Sequence, residues 1–225
     1  MAERITFTTD DGVIIVGDWF PAPTVLGAVV LLHMMPETRT SWGLLQRELA
    51  KRSIASLAID LRGHGESVET TDGNKLDYNE FTDEEHQASM FDVASAVAWV
   101  KGRGQDLERV ALGGASIGAN LALEMLGEEP KLCGAVLFSP SHDYRGMNAL
   151  QDVQNILPHQ ALFIVSSEDD QESFADSRQL YDQAPTDSKT YVPYKNAGHG
   201  THIFDTDRGL IAKTADWFAD TIRGK

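Results

Sequence analysis

Ser116 lies in a stretch that carries almost no large polar side chains, the segment VALGGASIGANLAL over residues 110–123. An apolar run precedes the serine and a run typical of a helix follows, which predicts a strand-to-helix turn at this point. Gly114 and Gly118 stand two residues to either side and complete the pattern G-x-S-x-G. Such a turn lifts the serine hydroxyl above the sheet, next to the free N–H groups of the helix start. The pattern therefore predicts a serine nucleophile.

A serine hydroxyl needs a base to activate it, and the base needs a carboxylate to orient it. The apolar run ALFIVSS is followed by a turn with Glu168, Asp169 and Asp170, and the run YVPYK is followed by a turn with His199. Serine, acid and histidine thus follow one another in chain order, each on a turn after a predicted strand, as in one class of serine hydrolases. From the residues alone, Asp169 is not preferred over Glu168 or Asp170 as the acid that orients the histidine.

The elements that position these residues alternate between strands and helices. An unbroken apolar run at 27–33 predicts a strand buried on both faces, helical spacing follows at 41–52, and the next strand is expected at 54–60. A capping box at Thr82 and Glu85 predicts the start of one helix over 82–104. We therefore expect one α/β domain over residues 1–225, with a mostly parallel sheet, helices on both faces and an antiparallel hairpin at the N-terminus.

Several further segments carry a family resemblance: IDLRGHGES (59–67), SPSHDYRG (139–146), VSSEDD (165–170) and NAGHGT (196–201). Together with the serine motif, they make the chain similar to the α/β-hydrolases, in the branch of dienelactone hydrolases and small serine esterases, over nearly its whole length. The resemblance implies an α/β-hydrolase fold, and the short connection described below predicts that this chain has no large cap domain.

The same resemblance implies roles for particular residues. Its register selects Asp169 as the acid, with Asp170, Glu168 and, after an earlier strand, Asp143 as alternatives. It also selects His199, between two glycines, as the base, with His202 as the rival.

The oxyanion hole needs two donors. One is the N–H of Ile117, directly after the nucleophile. The resemblance places the second at Met35, and Met34 stands where relatives usually have glycine. Trp42 and Tyr144 follow loops that should border the substrate pocket, and Met34 is a third candidate for its lining.

The expected reaction is hydrolysis of short-chain carboxylic esters through an acyl-enzyme. Only about twenty residues separate the predicted strands at 134–139 and 160–166, which leaves no room for a full lid. A thioesterase, a lactonase or a carbon–carbon hydrolase would use the same three groups. A small-molecule receptor of this fold with negligible turnover is a further alternative.

Composition excludes other classes of partner. With 34 acidic and 19 basic residues, the net charge is −15, which repels nucleic acid and anionic membranes.

Two features favour a cytoplasmic location: the single cysteine, Cys133, and the charged residues near the start, where a signal peptide would be apolar. No metal or cofactor is expected, and a small-molecule ester is the expected partner. The sequence does not indicate the number of subunits.

Overall fold

The computed structural model describes residues 2–224, and nine of its strands form one sheet. In the described part of the chain, the strands in order are β1 (Glu3–Thr8), β2 (Val13–Phe20), β3 (Gly27–Leu32), β4 (Ile54–Ile59), β5 (Glu69–Thr70), β6 (Val110–Ala115), β7 (Gly134–Phe138), β8 (Asp143–Tyr144), β9 (Met147–Asn148), β10 (Ala161–Ser167) and β11 (Lys189–Tyr194).

The spatial order of the main sheet is β1-β2-β4-β3-β6-β7-β10-β11, with the short β5 paired to β2. The six strands from β4 to β11 in this order are parallel. Strands β1 and β2 pair antiparallel at one edge. The predicted mostly parallel sheet with an N-terminal antiparallel hairpin is confirmed.

Within residues 2–224, eight α-helices accompany the strands: α1 (Gly43–Lys51), α2 (Asp83–Gln87), α3 (Met90–Gly102), α4 (Ile117–Glu128), α5 (Ala149–Asp152), α6 (Gln171–Gln183), α7 (Ile203–Thr206) and α8 (Gly209–Ile222). Short 3-10 helices lie at Arg39–Trp42, Tyr78–Glu80, Leu107–Arg109, Val153–Asn155 and Gly200–His202. Among residues 2–224, none of these helices combines the length and apolar character needed to cross a membrane.

The helices cover both faces of the sheet, and the side chains of the strands alternate between them. In β3, Val30 and Leu32 pack in a core with residues of α3, α4 and α6. Val29 and Leu31 face the opposite core, with residues of α1 and α8. Because both faces are buried, the whole of β3 is apolar, which explains its unbroken hydrophobic run.

Two segments differ from the sequence-based expectation. The single helix expected over 82–104 is divided into α2 and α3, although the capping box of Thr82 and Glu85 is present as predicted. At the junction, backbone bonds run three residues back, as from Ser89 N–H to His86 O, and interrupt the regular α-helical pattern. The connection after β7 also contains the hairpin β8–β9, which the sequence did not indicate.

Candidate active site

Ser116 stands at the sharp turn between β6 and α4. Its backbone angles are φ 53° and ψ −120°, a conformation disfavoured for a residue with a side chain and costing about 1–3 kcal/mol. The turn is held by a hydrogen bond of 2.9 Å from Ser116 N–H to the carbonyl of Phe138 in the neighbouring strand β7. The serine is therefore held in a strained turn at the start of α4, as the motif predicts.

Gly114 and Gly118 are required by close backbone packing. A Cβ atom on Gly114 would lie 1.9 Å from the carbonyl oxygen of Gly118, and one on Gly118 would lie 2.4 Å from that of Leu32. No side chain fits at either position because the obstacles are backbone atoms. The two glycines thus bring the first turn of α4 against the end of β3.

His199 follows β11, in a turn that packs against the serine turn. The next residue, Gly200, has φ 56°, and a Cβ atom there would lie 2.4 Å from Met34 Sδ and 3.4 Å from Ala115 Cβ. Ala115 directly precedes Ser116, so the two turns touch. Among residues 2–224, no hydrogen bond joins Ser116 Oγ to the imidazole; such bonds often tighten only when substrate binds.

The carboxylate next to His199 is that of Asp170, one of the alternatives, and not that of the expected Asp169. His199 Nδ1 lies 2.6 Å from Asp170 Oδ2. Asp169 points elsewhere: it accepts hydrogen bonds from the hydroxyl of Ser167 and from the N–H of Gly198. The hydrogen bond from Ser167 is the main cause of a lowered pKa of Asp169; burial opposes it, and the backbone N–H groups of Gly198 and Ala197 lower the pKa further.

The other candidates for acid and base lie away from this contact. Asp143 accepts a hydrogen bond from Gly146 N–H within the hairpin β8–β9. Glu168 is exposed. His202 lies 3.6 Å from Glu37, with most of its side chain exposed.

The two predicted oxyanion donors have free N–H groups. Neither Met35 N–H nor Ile117 N–H donates a hydrogen bond to any of residues 2–224. Both lie where β3 and the start of α4 come together, and Ile117 is the first residue of the helix, where the helix dipole is positive.

His33 fixes the direction of the Met35 N–H. Leu61 N–H donates to His33 Nε2 at 3.0 Å, so the ring proton lies on Nδ1, which donates to the carbonyl of Met34 at 2.9 Å. Because the carbonyl and the N–H of a trans peptide point in opposite directions, Met35 N–H points away from His33. Burial, followed by nearby His64, lowers the pKa of His33 to about 3, so the ring is neutral.

Met34 is accommodated in place of glycine without backbone strain. It is not among the residues with positive φ, and its side chain is buried beneath the turn of Gly200. Trp42 is completely buried against Phe138 and Phe204. The structure thus places Met34 and Trp42 in the core, contrary to the expectation that they line an open pocket.

Tyr144 lies in the hairpin β8–β9, which is tied to helices on two sides. At its base, the amide of Asn120 in α4 donates to and accepts from the backbone of Ser141, at 2.8 and 3.1 Å. At its tip, Gln87 of α2 donates to the carbonyl of Arg145 at 2.7 Å. Tyr144 is half-buried at this hairpin and packs against the core that includes residues of α4.

The fold and this site define a class of protein, and comparison with known families identifies it. A sequence model of the family described as serine aminopeptidase, S33, matches residues 23–159, more than half of the chain. The chain belongs to this family of α/β-hydrolases. The match includes Ser116 and ends before Asp170 and His199. No curated protein matches the chain in sequence.

Solved structures agree with this fold. An esterase of Pyrococcus furiosus is 18% identical, with a TM-score of 0.78 over 96% of this chain and 91% of that one. A dienelactone hydrolase of Anabaena variabilis is 18% identical, with a TM-score of 0.72 over 96% and 97%. The esterase domain of a Rhodothermus marinus protein is 13% identical, with a TM-score of 0.73 over 97% and 98%. At these identities the likeness establishes the α/β-hydrolase fold alone.

Proposed function

We propose that the protein is a serine hydrolase that cleaves short-chain carboxylic esters through an acyl-enzyme. The observation that carries the proposal is the 2.6 Å contact between His199 Nδ1 and Asp170, on a turn that packs against the strained turn of Ser116. A carboxylate at Nδ1 leaves Nε2 free to take a proton from a serine hydroxyl.

In the proposed mechanism, Ser116 Oγ attacks the ester carbonyl and His199 Nε2 takes the hydroxyl proton. The N–H groups of Ile117 and Met35 stabilise the negative oxygen of the tetrahedral intermediate. The intermediate collapses, and His199 returns the proton to the leaving alcohol. Water then attacks the acyl-enzyme by the same steps and releases the acid.

Four observations support a small, neutral substrate. The connection between β7 and β10 holds only the hairpin β8–β9, α5 and one 3-10 turn, and His199 retains 38% of its side-chain exposure. Arg39, which could have bound a substrate carboxylate, is instead buried in ion pairs with Asp60 and Asp18. The net charge of −15 also opposes anionic substrates.

The test is steady-state hydrolysis of p-nitrophenyl esters of increasing acyl length, with thioesters and lactones in parallel. Ser116→Ala should lower kcat/KM for the best ester by at least about 10⁴-fold while circular dichroism and Tm stay close to wild type. If the variant kept a tenth of the activity, Ser116 would not be the nucleophile. If a thioester or lactone were turned over faster than the best ester, the protein would be a thioesterase or a lactonase instead. Negligible turnover of every substrate would favour a receptor.

A further inference from the structure

Two adjacent residues at the end of β7 contact the backbone of both turns of the candidate site. The carbonyl of Phe138 accepts from Ser116 N–H at 2.9 Å, and the hydroxyl of Ser139 accepts from Gly200 N–H at 2.9 Å. Ser139 is itself anchored to β10, since its N–H donates to the carbonyl of Val165 at 2.8 Å. The dipeptide therefore links the serine turn, the histidine turn and the strand that leads to Asp170.

Ser139 has a backbone conformation that favours glycine. Its φ is 51°, in the left-handed region, and the residue is completely buried. Glycine would adopt this angle without a steric penalty, whereas serine adopts it at a cost. What serine adds in exchange is a hydroxyl group. Among residues 2–224, the hydroxyl has one hydrogen-bond partner, the N–H of Gly200.

Gly200 has little freedom to replace this contact. It is buried, and its backbone lies against Met34 Sδ and Ala115 Cβ. Without the hydroxyl of Ser139, its N–H would be a buried donor with no acceptor, which is unfavourable enough to move the turn. Because His199 directly precedes Gly200, any such movement shifts the imidazole relative to Ser116.

We propose that Ser139 is a positioning residue for His199: its hydroxyl holds the Gly200 backbone, while Asp170 orients the ring from the Nδ1 side. This inference rests on the proposed function, in which His199 is the base. A displacement of about 1 Å in a reacting group is enough to lower the rate of a proton transfer severely. Substrate binding, which does not involve the hydroxyl, should change little.

The test compares Ser139→Gly with Ser53→Gly in the full chain. The first variant removes the hydroxyl and relieves the positive φ. The second makes the same change at another serine of positive φ (64°), at the end of α1 and outside the site. We expect Ser139→Gly to lower kcat at least about tenfold with KM within about twofold and Tm within a few degrees of wild type. Ser53→Gly should leave kcat and KM unchanged.

A second readout does not need turnover. In one-dimensional proton NMR, the proton between His199 Nδ1 and Asp170 should give a low-field resonance that Asp170→Asn abolishes. Ser139→Gly should broaden this resonance and Ser53→Gly should not.

An unaltered resonance in Ser139→Gly, or a kcat within twofold of wild type, would overturn the positioning role. If the wild type shows no Ser116-dependent turnover, the proposed function fails, and the resonance still decides the role of Ser139. Ser139→Ala, which keeps the Cβ atom, replaces the glycine variant if that protein does not fold.

Discussion

His199 Nδ1 lies 2.6 Å from Asp170 Oδ2, whereas the adjacent carboxylate of Asp169 accepts the N–H of Gly198 at 3.2 Å. The two neighbouring aspartates therefore divide two tasks. Asp170 contacts the imidazole, and Asp169 holds the backbone of the turn that carries it. Ser167 assists Asp169, because its hydroxyl donates to that carboxylate and accepts from Ala197 N–H at 2.9 Å.

Asp170→Asn is expected to lower kcat for ester hydrolysis by about 10³- to 10⁴-fold, because the amide no longer selects the ring tautomer with its proton on Nδ1. Asp169→Asn, the matched control one residue away, should lose less than about tenfold because an amide oxygen still accepts the backbone N–H groups. Steady-state kinetics of the two purified variants provides the measurement. A larger loss in Asp169→Asn would reverse the assignment.

Gly118→Ala should destabilise the protein, although alanine is the better helix former by about 1 kcal/mol. The new Cβ atom would approach the carbonyl oxygen of Leu32 to 2.4 Å, and backbone cannot yield as a side chain can. Gly102→Ala at the end of α3, where nothing lies within 4 Å, serves as the control and should leave Tm unchanged or slightly raised. Thermal denaturation of both variants tests this; equal Tm values would show that β3 and α4 are less closely packed.

Glu124→Gln should stabilise the protein more at pH 8 than at pH 5. Burial of Glu124 in α4, with repulsion from Asp152 and Glu128, raises its pKa from 4.5 to about 7. The folded state thus binds more protons than the unfolded state between these values, and stability falls as pH rises through the window. Glutamine carries no charge and escapes this loss. The measurement is the Tm difference from wild type at the two pH values, with exposed Glu80→Gln as control. A difference independent of pH would contradict the prediction.

His33 should remain neutral at pH 5. Its folded pKa of about 3 lies below the ordinary value of 6.5, so the unfolded state binds more protons between the two. The corresponding stability is fully present above about pH 6.5 and is lost as pH falls toward 3. Nitrogen-15 NMR of the ring should show a proton on Nδ1 and none on Nε2 across pH 5–8. A ring that titrates near 6.5 would mean that the bonds to Met34 and Leu61 are not maintained in solution.

Acyl-chain preference should show how much cover the site has. An open site gives a chain only a shallow wall, so each added methylene should gain less than the roughly 0.8 kcal/mol of full burial. We expect the highest kcat/KM from acetyl to roughly hexanoyl esters, with a decline beyond and no activation on lipid emulsions. Measurement in detergent-free buffer avoids micelle effects. A steady rise to dodecanoyl esters would contradict the open site and would mean that the segment 70–86 or a partner subunit covers it.

The sequence by itself determined the type of sheet, and it predicted Ser116 as the candidate nucleophile and the chain order of the three candidate groups. These features are visible in short stretches of sequence. The signals are the spacing of Gly114 and Gly118 around Ser116 and the length and periodicity of each apolar run. A serine between two glycines at a strand end therefore identifies the turn before any long-range contact is known.

Only the tertiary structure decided which aspartate faces the imidazole, because Asp169 and Asp170 are adjacent and chemically identical. Their choice depends on how the turn after β10 meets a backbone 29 residues further along the chain. The same holds for Ser139, whose hydroxyl contacts a residue 61 positions away, and for Met34, which replaces glycine without a positive φ. Side-chain direction at such positions is set by packing between distant segments. It therefore does not follow from the type of each residue alone.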